Sequence, residues 1–197
     1  RAPGDAFLLA ATQGHRVGDA RDAVLNAAEP MPPIPPLTKI LMLICTAVFC
    51  LGFFVPLELW FALWPLRTGM FWPWQLVSYA FLHGSMMHLF FNMLGLWMFG
   101  SELERVWGPK RFMQFYAASV LAAAGMQLLV NMLLGSPYPT VGASGGLFGL
   151  LLAFGMMFPN RTIMPLFPPI PMKAKTFVAV YGGLELVLGV TGTQSGV

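Results

Sequence analysis

Charge is what this sequence has least of. Only 10% of its 197 residues are Asp, Glu, Lys or Arg and 57% are hydrophobic, whereas a soluble domain carries roughly 25% charged residues. One soluble core cannot hide that much apolar material, so much of the surface must face lipid. Runs of basic residues interleaved with aromatics are also missing, and the net charge is only +3. Nucleic acid is therefore excluded as a partner. There are two cysteines, Cys45 and Cys50, five apart in one apolar stretch and on different faces of a helix. They form no disulfide with each other and read as buried apolar side chains. Histidines number three, His15, His83 and His88. No carboxylate or cysteine lies at ligand spacing from the last two, and HGSMMH lacks the glutamate of the H-E-x-x-H motif. No metal and no organic cofactor are expected.

What is present divides at residue 38. Residues 1–38 form a polar, alanine-rich segment ending in Pro30, Pro32, Pro33, Pro35 and Pro36, without the charged start, short apolar core and cleavage site of a signal peptide. They read either as a disordered tail or as a non-native extension upstream of a true start at Met31. Residues 39–197 read as the membrane domain, with apolar spans from Ile40 to about Val55, Met86–Ser101, Phe112–Leu134, Ser144–Phe158 and Thr176–Val190. Several fall short of the ~20 residues a bilayer requires, so their ends extend into flanking residues or lie in a protein-lined cavity. Glycine (21) and proline (17) are abundant, which membrane bundles tolerate through close helix contacts. The segment Glu58–His83, with Trp60, Trp64, Trp72 and Trp74, is too aromatic for a solvated loop and reads as interfacial.

Five spans place ten of the 11 basic residues on the N-terminal side and Arg67 alone on the other. By the positive-inside rule the N-terminus is cytoplasmic, and Glu58–His83 and Gly135–Ala143 face outward.

Polar groups inside a membrane are expensive and need a reason. His88 and Asn92 lie four apart, on one face of the second span, and His83 precedes them near its outer end. Ser144 starts the fourth span within VGASGGLFG. Backbone N–H groups at a helix start are unpaired and sit at the positive dipole end. A serine there can attack a carbonyl while those groups hold the resulting oxyanion. Gly142, Gly145, Gly146 and Gly149 form overlapping GxxxG patterns that admit a close neighbour. Each feature has a plainer reading. A serine at a helix start is more often an N-cap, GxxxG is more often packing, and a membrane His or Asn is often interhelical glue. The combination is far more specific than its members.

Taken together, His83, His88 and Asn92 in HGSMMHLFFN, Gly100, Glu104 and Gly108 in GSELERVWG, and GASG at 142–145 resemble the rhomboid family of intramembrane serine proteases. The likeness runs from about Met31 to Val197. It implies an all-α, polytopic membrane helical bundle with five of an expected six transmembrane helices, in a bacterial inner (plasma) membrane. It makes Ser144 the catalytic nucleophile. His88, Asn92 and the Ser144 backbone would form the oxyanion hole, with His83, Phe148, Gly142 and Gly145 in support. Phe148 falls where the family places an aromatic ring against its catalytic histidine. Its partners would be the lipid bilayer and transmembrane-helix protein substrates, entering beside the span that bears Gly182 and Gly183.

Two departures stand out. Gln75, after Trp74, replaces the arginine of a Trp-Arg pair, leaving the anchoring of the outer loop open. The family's general base, a histidine in an A-H-x-x-G context on a sixth span, has no counterpart in TGTQSGV after span five. The expectation is that these 197 residues are an inactive fragment of an active protease, because a serine hydroxyl without a base is a poor nucleophile. A non-catalytic relative that binds membrane helices is the alternative. A transporter would predict internal repeats, and none is evident. Glu102 and Glu104 read as ordering the cytoplasmic turn with Arg105, Lys110 and Arg111. Glu185 has no ready account.

Overall fold

The computed structural model describes residues 33–165 and 169–190, the last seven of these as backbone only. Expectations for His15, for the N-terminal extension and for the Glu185 side chain lie outside that description.

Helix α1 spans Pro36–Leu51. It begins four residues before the expected Ile40, because proline at the first helical turn needs no N–H partner. It stops short of the expected Val55 at Leu51, where Gly52 follows and Pro56 forbids continuation. N–H groups of its first turn, which have no partner within the helix, are satisfied from far along the chain. Glu104, buried to 3% exposure, accepts from the Leu37 N–H at 3.0 Å, the Thr38 N–H at 2.7 Å and the Thr38 hydroxyl at 2.8 Å. A carboxylate suits the positive end of a helix. Glu104 thus ties α1 to the bundle, and the expected pairing with Arg105, Lys110 and Arg111 is corrected.

The segment Glu58–His83 contains α2 (Glu58–Phe61), a short 3-10 turn at Leu66–Thr68 and α3 (Gln75–Ser78). Trp60, Trp72 and Trp74 are 59%, 48% and 47% exposed, and the Trp72 and Trp74 rings stack at 5.0 Å. The wrapped loop closes on Gln75, which is fully buried. Its Oε1 accepts from the Trp64 and Trp72 N–H groups, and its Nε2 donates to the carbonyls of Trp60 and Met70. Replacing the pair's arginine by glutamine therefore leaves the loop anchored, with all four bonding positions of the amide in use.

Helix α4 (Met86–Gly95) passes through a widened π turn at Leu96–Gly100 into α5 (Ser101–Leu134). Met86–Leu134 is the one continuous helical stretch among the described residues that is long and apolar enough to cross a membrane. It is not one straight rod. Gly108 has φ 76° and ψ 164°, far from the right-handed helical region, and Pro109 follows. A Cβ on Gly100 would lie 3.6 Å from the Phe112 ring, yet 12 residues of straight helix would separate them by about 18 Å. The chain reverses at Gly108, giving two antiparallel arms over the residues read from sequence as the second and third spans.

Helix α6 (Ser144–Met157) packs on the second arm through its glycines. A Cβ on Gly146 would meet the Tyr116 ring at 2.5 Å, and one on Gly149 would overlap the Ser119 side chain. Here GxxxG is a packing device. Strands β1 (Thr162–Ile163) and β2 (Met172–Lys173) pair antiparallel and lead into α7 (Ala174–Val190). Arg161, before the hairpin, pairs with Glu102, which also holds Arg105 at 3.6 Å. The core joins α1, both arms, α6 and the start of α7 around Leu63, Leu96, Leu103, Phe112 and Leu150, all inaccessible. Outside it, Leu43 (59%), Phe54 (85%), Leu133 (73%) and Met156 (74%) are exposed, a rim of large apolar side chains suited to lipid. Cys45 is buried and free as expected. Cys50 is also free but exposed, which corrects its reading as buried.

Candidate active site

The site is built where the N-termini of α4 and α6 come together. Ser85 starts α4 by accepting the His88 N–H at 3.1 Å. This N-cap fixes the first turn and sets His83 just outside it, His88 within it and Asn92 one turn on. The rings of His83 and His88 meet edge to face with centroids 5.1 Å apart. The Asn92 Nδ2 donates to the His88 carbonyl at 2.9 Å.

On the facing element, the chain reaches Ser144 through a clamped approach. Leu63 and Thr140 exchange two backbone hydrogen bonds of 3.0 Å, and the Gly142 N–H donates to the Tyr79 carbonyl at 2.9 Å. Gly142 itself adopts φ +124°, open only to glycine. Its Cα faces the site so closely that a Cβ there would sit 2.6 Å from His88 Cε1, 2.7 Å from His88 Nε2 and 3.6 Å from Ser144 Oγ. The imidazole of His88 and the hydroxyl of Ser144 thus converge on the same small volume beside Gly142. One turn deeper, Gly95 of α4 lies against Leu147 of α6, where a Cβ would be 2.6 Å from Leu147 Cδ2. Gly95 is three residues past Asn92 and Leu147 three past Ser144, so Asn92 and Ser144 occupy the matching turn above that contact.

Ser144 opens α6 as its first residue, after Ala143 in the N-cap position, and no side chain caps this helix. The plain N-cap reading of Ser144 is corrected, and its hydroxyl is left for other work. Among the described residues, four buried polar atoms here lack a well-aligned hydrogen-bond partner, namely Nδ1 and Nε2 of His83, Nδ1 of His88 and Oδ1 of Asn92. Buried polar atoms are normally paired, so this corner is suited to water or to a substrate's polar backbone. Gly145 allows Tyr79 and Ala123 to close in, a Cβ there falling 3.1 Å from the tyrosine hydroxyl. Phe148 is half-buried and packs against the core.

Tyr79 was not singled out from sequence. It is 3% exposed, its hydroxyl donates to the Val120 carbonyl at 2.9 Å, and its own carbonyl holds Gly142. A tyrosine five residues before Gly84 carries no motif that would have flagged it. Gly182 and Gly183 on α7 have open space where a Cβ would go, past the last packed ring, Tyr181, which stacks on Phe177 at 4.3 Å.

A family model described as Rhomboid domain matches residues 70–195, more than half of the chain. The chain is 36% identical over 99 residues to Rhomboid protein 1, mitochondrial, of Saccharomyces cerevisiae, covering 49% of this chain and 29% of that one. It is 41% identical over 78 residues to Rhomboid protease GluP of Bacillus subtilis (40% and 14%), and 34% identical over 96 residues to Rhomboid protease GlpG of Klebsiella pneumoniae (47% and 34%). The matched segments span about a third or less of these three relatives.

Proposed function

The chain belongs to the rhomboid family, and from that premise we propose that it is the core of an intramembrane serine endopeptidase. The convergence of the His88 ring and the Ser144 hydroxyl beside Gly142 carries this reading. Relatives named as proteases in two bacteria support it.

In this reading the protein crosses the bilayer five times within these residues, through α1, the two arms that meet at Gly108, α6 and α7, with the N-terminus cytoplasmic. α1 and α6 have 16 and 14 residues, about 24 and 21 Å of helix, against a hydrocarbon core of about 30 Å. The site therefore lies near a thinned or water-accessible face. A substrate's transmembrane helix unwinds locally, since helical carbonyls are already bonded. Ser144 Oγ attacks the scissile carbonyl carbon. The Ser144 backbone N–H, His88 and the Asn92 amide hold the oxygen that becomes negative, and preorganised donors of this kind are worth about 3 kcal/mol each. The C–N bond breaks, the new amine leaves with a proton, and water hydrolyses the acyl-enzyme. His83 orients His88 across their edge-to-face contact, and Gly142 and Gly145 keep the turn open.

The proton from Ser144 must go to a base. In this reading His83 and His88 serve the oxyanion side and His15 lies in the N-terminal segment, so no peptide hydrolysis is expected from residues 1–197 alone. That same lack favours one rival, a non-catalytic member that binds membrane helices. Proteoliposomes with a transmembrane reporter separate the two. Cleavage is expected when the chain is joined to a rhomboid span that carries a histidine in an A-H-x-x-G context, and not from the 197 residues alone. Binding of the reporter without cleavage by the extended chain would favour the rival.

A further inference from the structure

At the end of the bundle opposite Ser144, the termini of several helices are drawn together by two carboxylates. Glu104 holds the start of α1 through Leu37 and Thr38, and Glu102, two residues earlier, holds Arg105 and Arg161. The Arg161 carbonyl in turn accepts from the Ala174 N–H at the start of α7. Lys39, Lys110, Arg111, Lys173 and Lys175 flank these joints and all are exposed. Both described carboxylates of this end are thus engaged elsewhere. Among the described residues no ion pair engages any of the five cations. Beside two of them, the hairpin leaves Met164 and Ile170 64% and 57% exposed.

A surplus of positive charge next to exposed apolar side chains is poorly served by water alone. It matches the boundary of a leaflet, where phosphates lie above acyl chains. We propose that this end binds the anionic phosphodiester headgroups of the adjacent leaflet, with Met164 and Ile170 at the headgroup–acyl boundary. The inference rests on the reading that the chain spans a bilayer. Clustered lysines and arginines beside membrane helices gain roughly fivefold in affinity for anionic lipid per cation brought to the surface. The selectivity follows from charge alone, so it must weaken with salt.

Spin-labelled phosphatidylglycerol and phosphatidylcholine, each reconstituted with the full chain, test this. The fraction of label immobilised at the protein gives the preference. A severalfold preference for phosphatidylglycerol is expected, falling toward none in Lys110→Gln/Arg111→Gln/Lys173→Gln/Lys175→Gln and unchanged in Arg67→Gln. No preference in the wild-type chain, or one that survives the four substitutions, would overturn the proposal. Salt titration of the wild-type chain guards against a variant that fails to fold, and a preference indifferent to 0.5 M NaCl would be equally fatal. Inorganic phosphate displacing the lipid far better than chloride at equal ionic strength would point to a phosphate site instead. Absence of any immobilised component with both lipids would overturn the membrane reading itself.

Discussion

The two ends of this bundle solve the same problem with different chemistry. Each must fix irregular backbone whose N–H and C=O groups lack helical partners. At the end that carries Ser144 the fixing groups are neutral, with the Gln75 amide holding four loop residues, the Leu63–Thr140 exchange, and Tyr79 bonded at both its hydroxyl and its carbonyl. At the other end they are carboxylates, Glu104 on the start of α1 and Glu102 between two arginines. The difference teaches where charge is tolerable. A neutral amide organises the loop without adding a field at the end that carries the proposed oxyanion site, whereas a carboxylate there would oppose an oxyanion. Far from the chemistry, a carboxylate gains from the α1 dipole.

The comparison is broken most severely at Glu104. Glu104→Leu strips three hydrogen bonds and leaves the buried Thr38 N–H and hydroxyl unpaired. A loss of about 3–4 kcal/mol is expected, read as an earlier unfolding midpoint in SDS titration from mixed micelles. A change under 1 kcal/mol would show that α1 is held by packing alone. Gln75→Leu comes next, at about 2 kcal/mol, because neutral bonds are weaker individually but the Trp64 and Trp72 N–H groups are orphaned. Its unfolding should be insensitive to salt. Gly142→Ala acts on the site more than on the fold. The +124° φ and the 2.6 Å approach to His88 Cε1 cost about 1–2 kcal/mol of strain, expected, in the chain joined to a histidine-bearing span, as a roughly tenfold slower reaction of Ser144 with a serine-directed probe. Unchanged labelling would place His88 away from the serine. Smallest is Glu102→Gln, whose partners Arg105 and Arg161 are 36% and 50% exposed. It should cost below about 1 kcal/mol, and less still at high salt.

Much of this architecture is readable in the residues themselves. Apolar runs located the helices, because burial in lipid demands nearly unbroken hydrophobicity, and proline and glycine marked their ends. The His83–His88–Asn92 spacing and the GASG turn could be read as one constellation, since helical periodicity sets the first and a single glycine-bearing turn the second. What could not be read is long-range. Nothing near Glu104 tells that its partners lie 66 and 67 residues earlier in the chain. Gln75 looked like a lost arginine because a local pattern records the residue replaced and not the carbonyls that wrap around its replacement. The cap reading of Ser144 gave way because Ala143 takes the N-cap place, a shift of one residue that composition cannot resolve.

The account turns on Ser144 as the nucleophile. The chain joined to a histidine-bearing sixth span, exposed in a native membrane to a fluorophosphonate and mapped by peptide mass spectrometry, answers that directly. A phosphonyl adduct on Ser144, abolished in Ser144→Ala and slowed in His88→Ala, is the predicted result. An adduct on another residue, or equal labelling of Ser144→Ala, would contradict it.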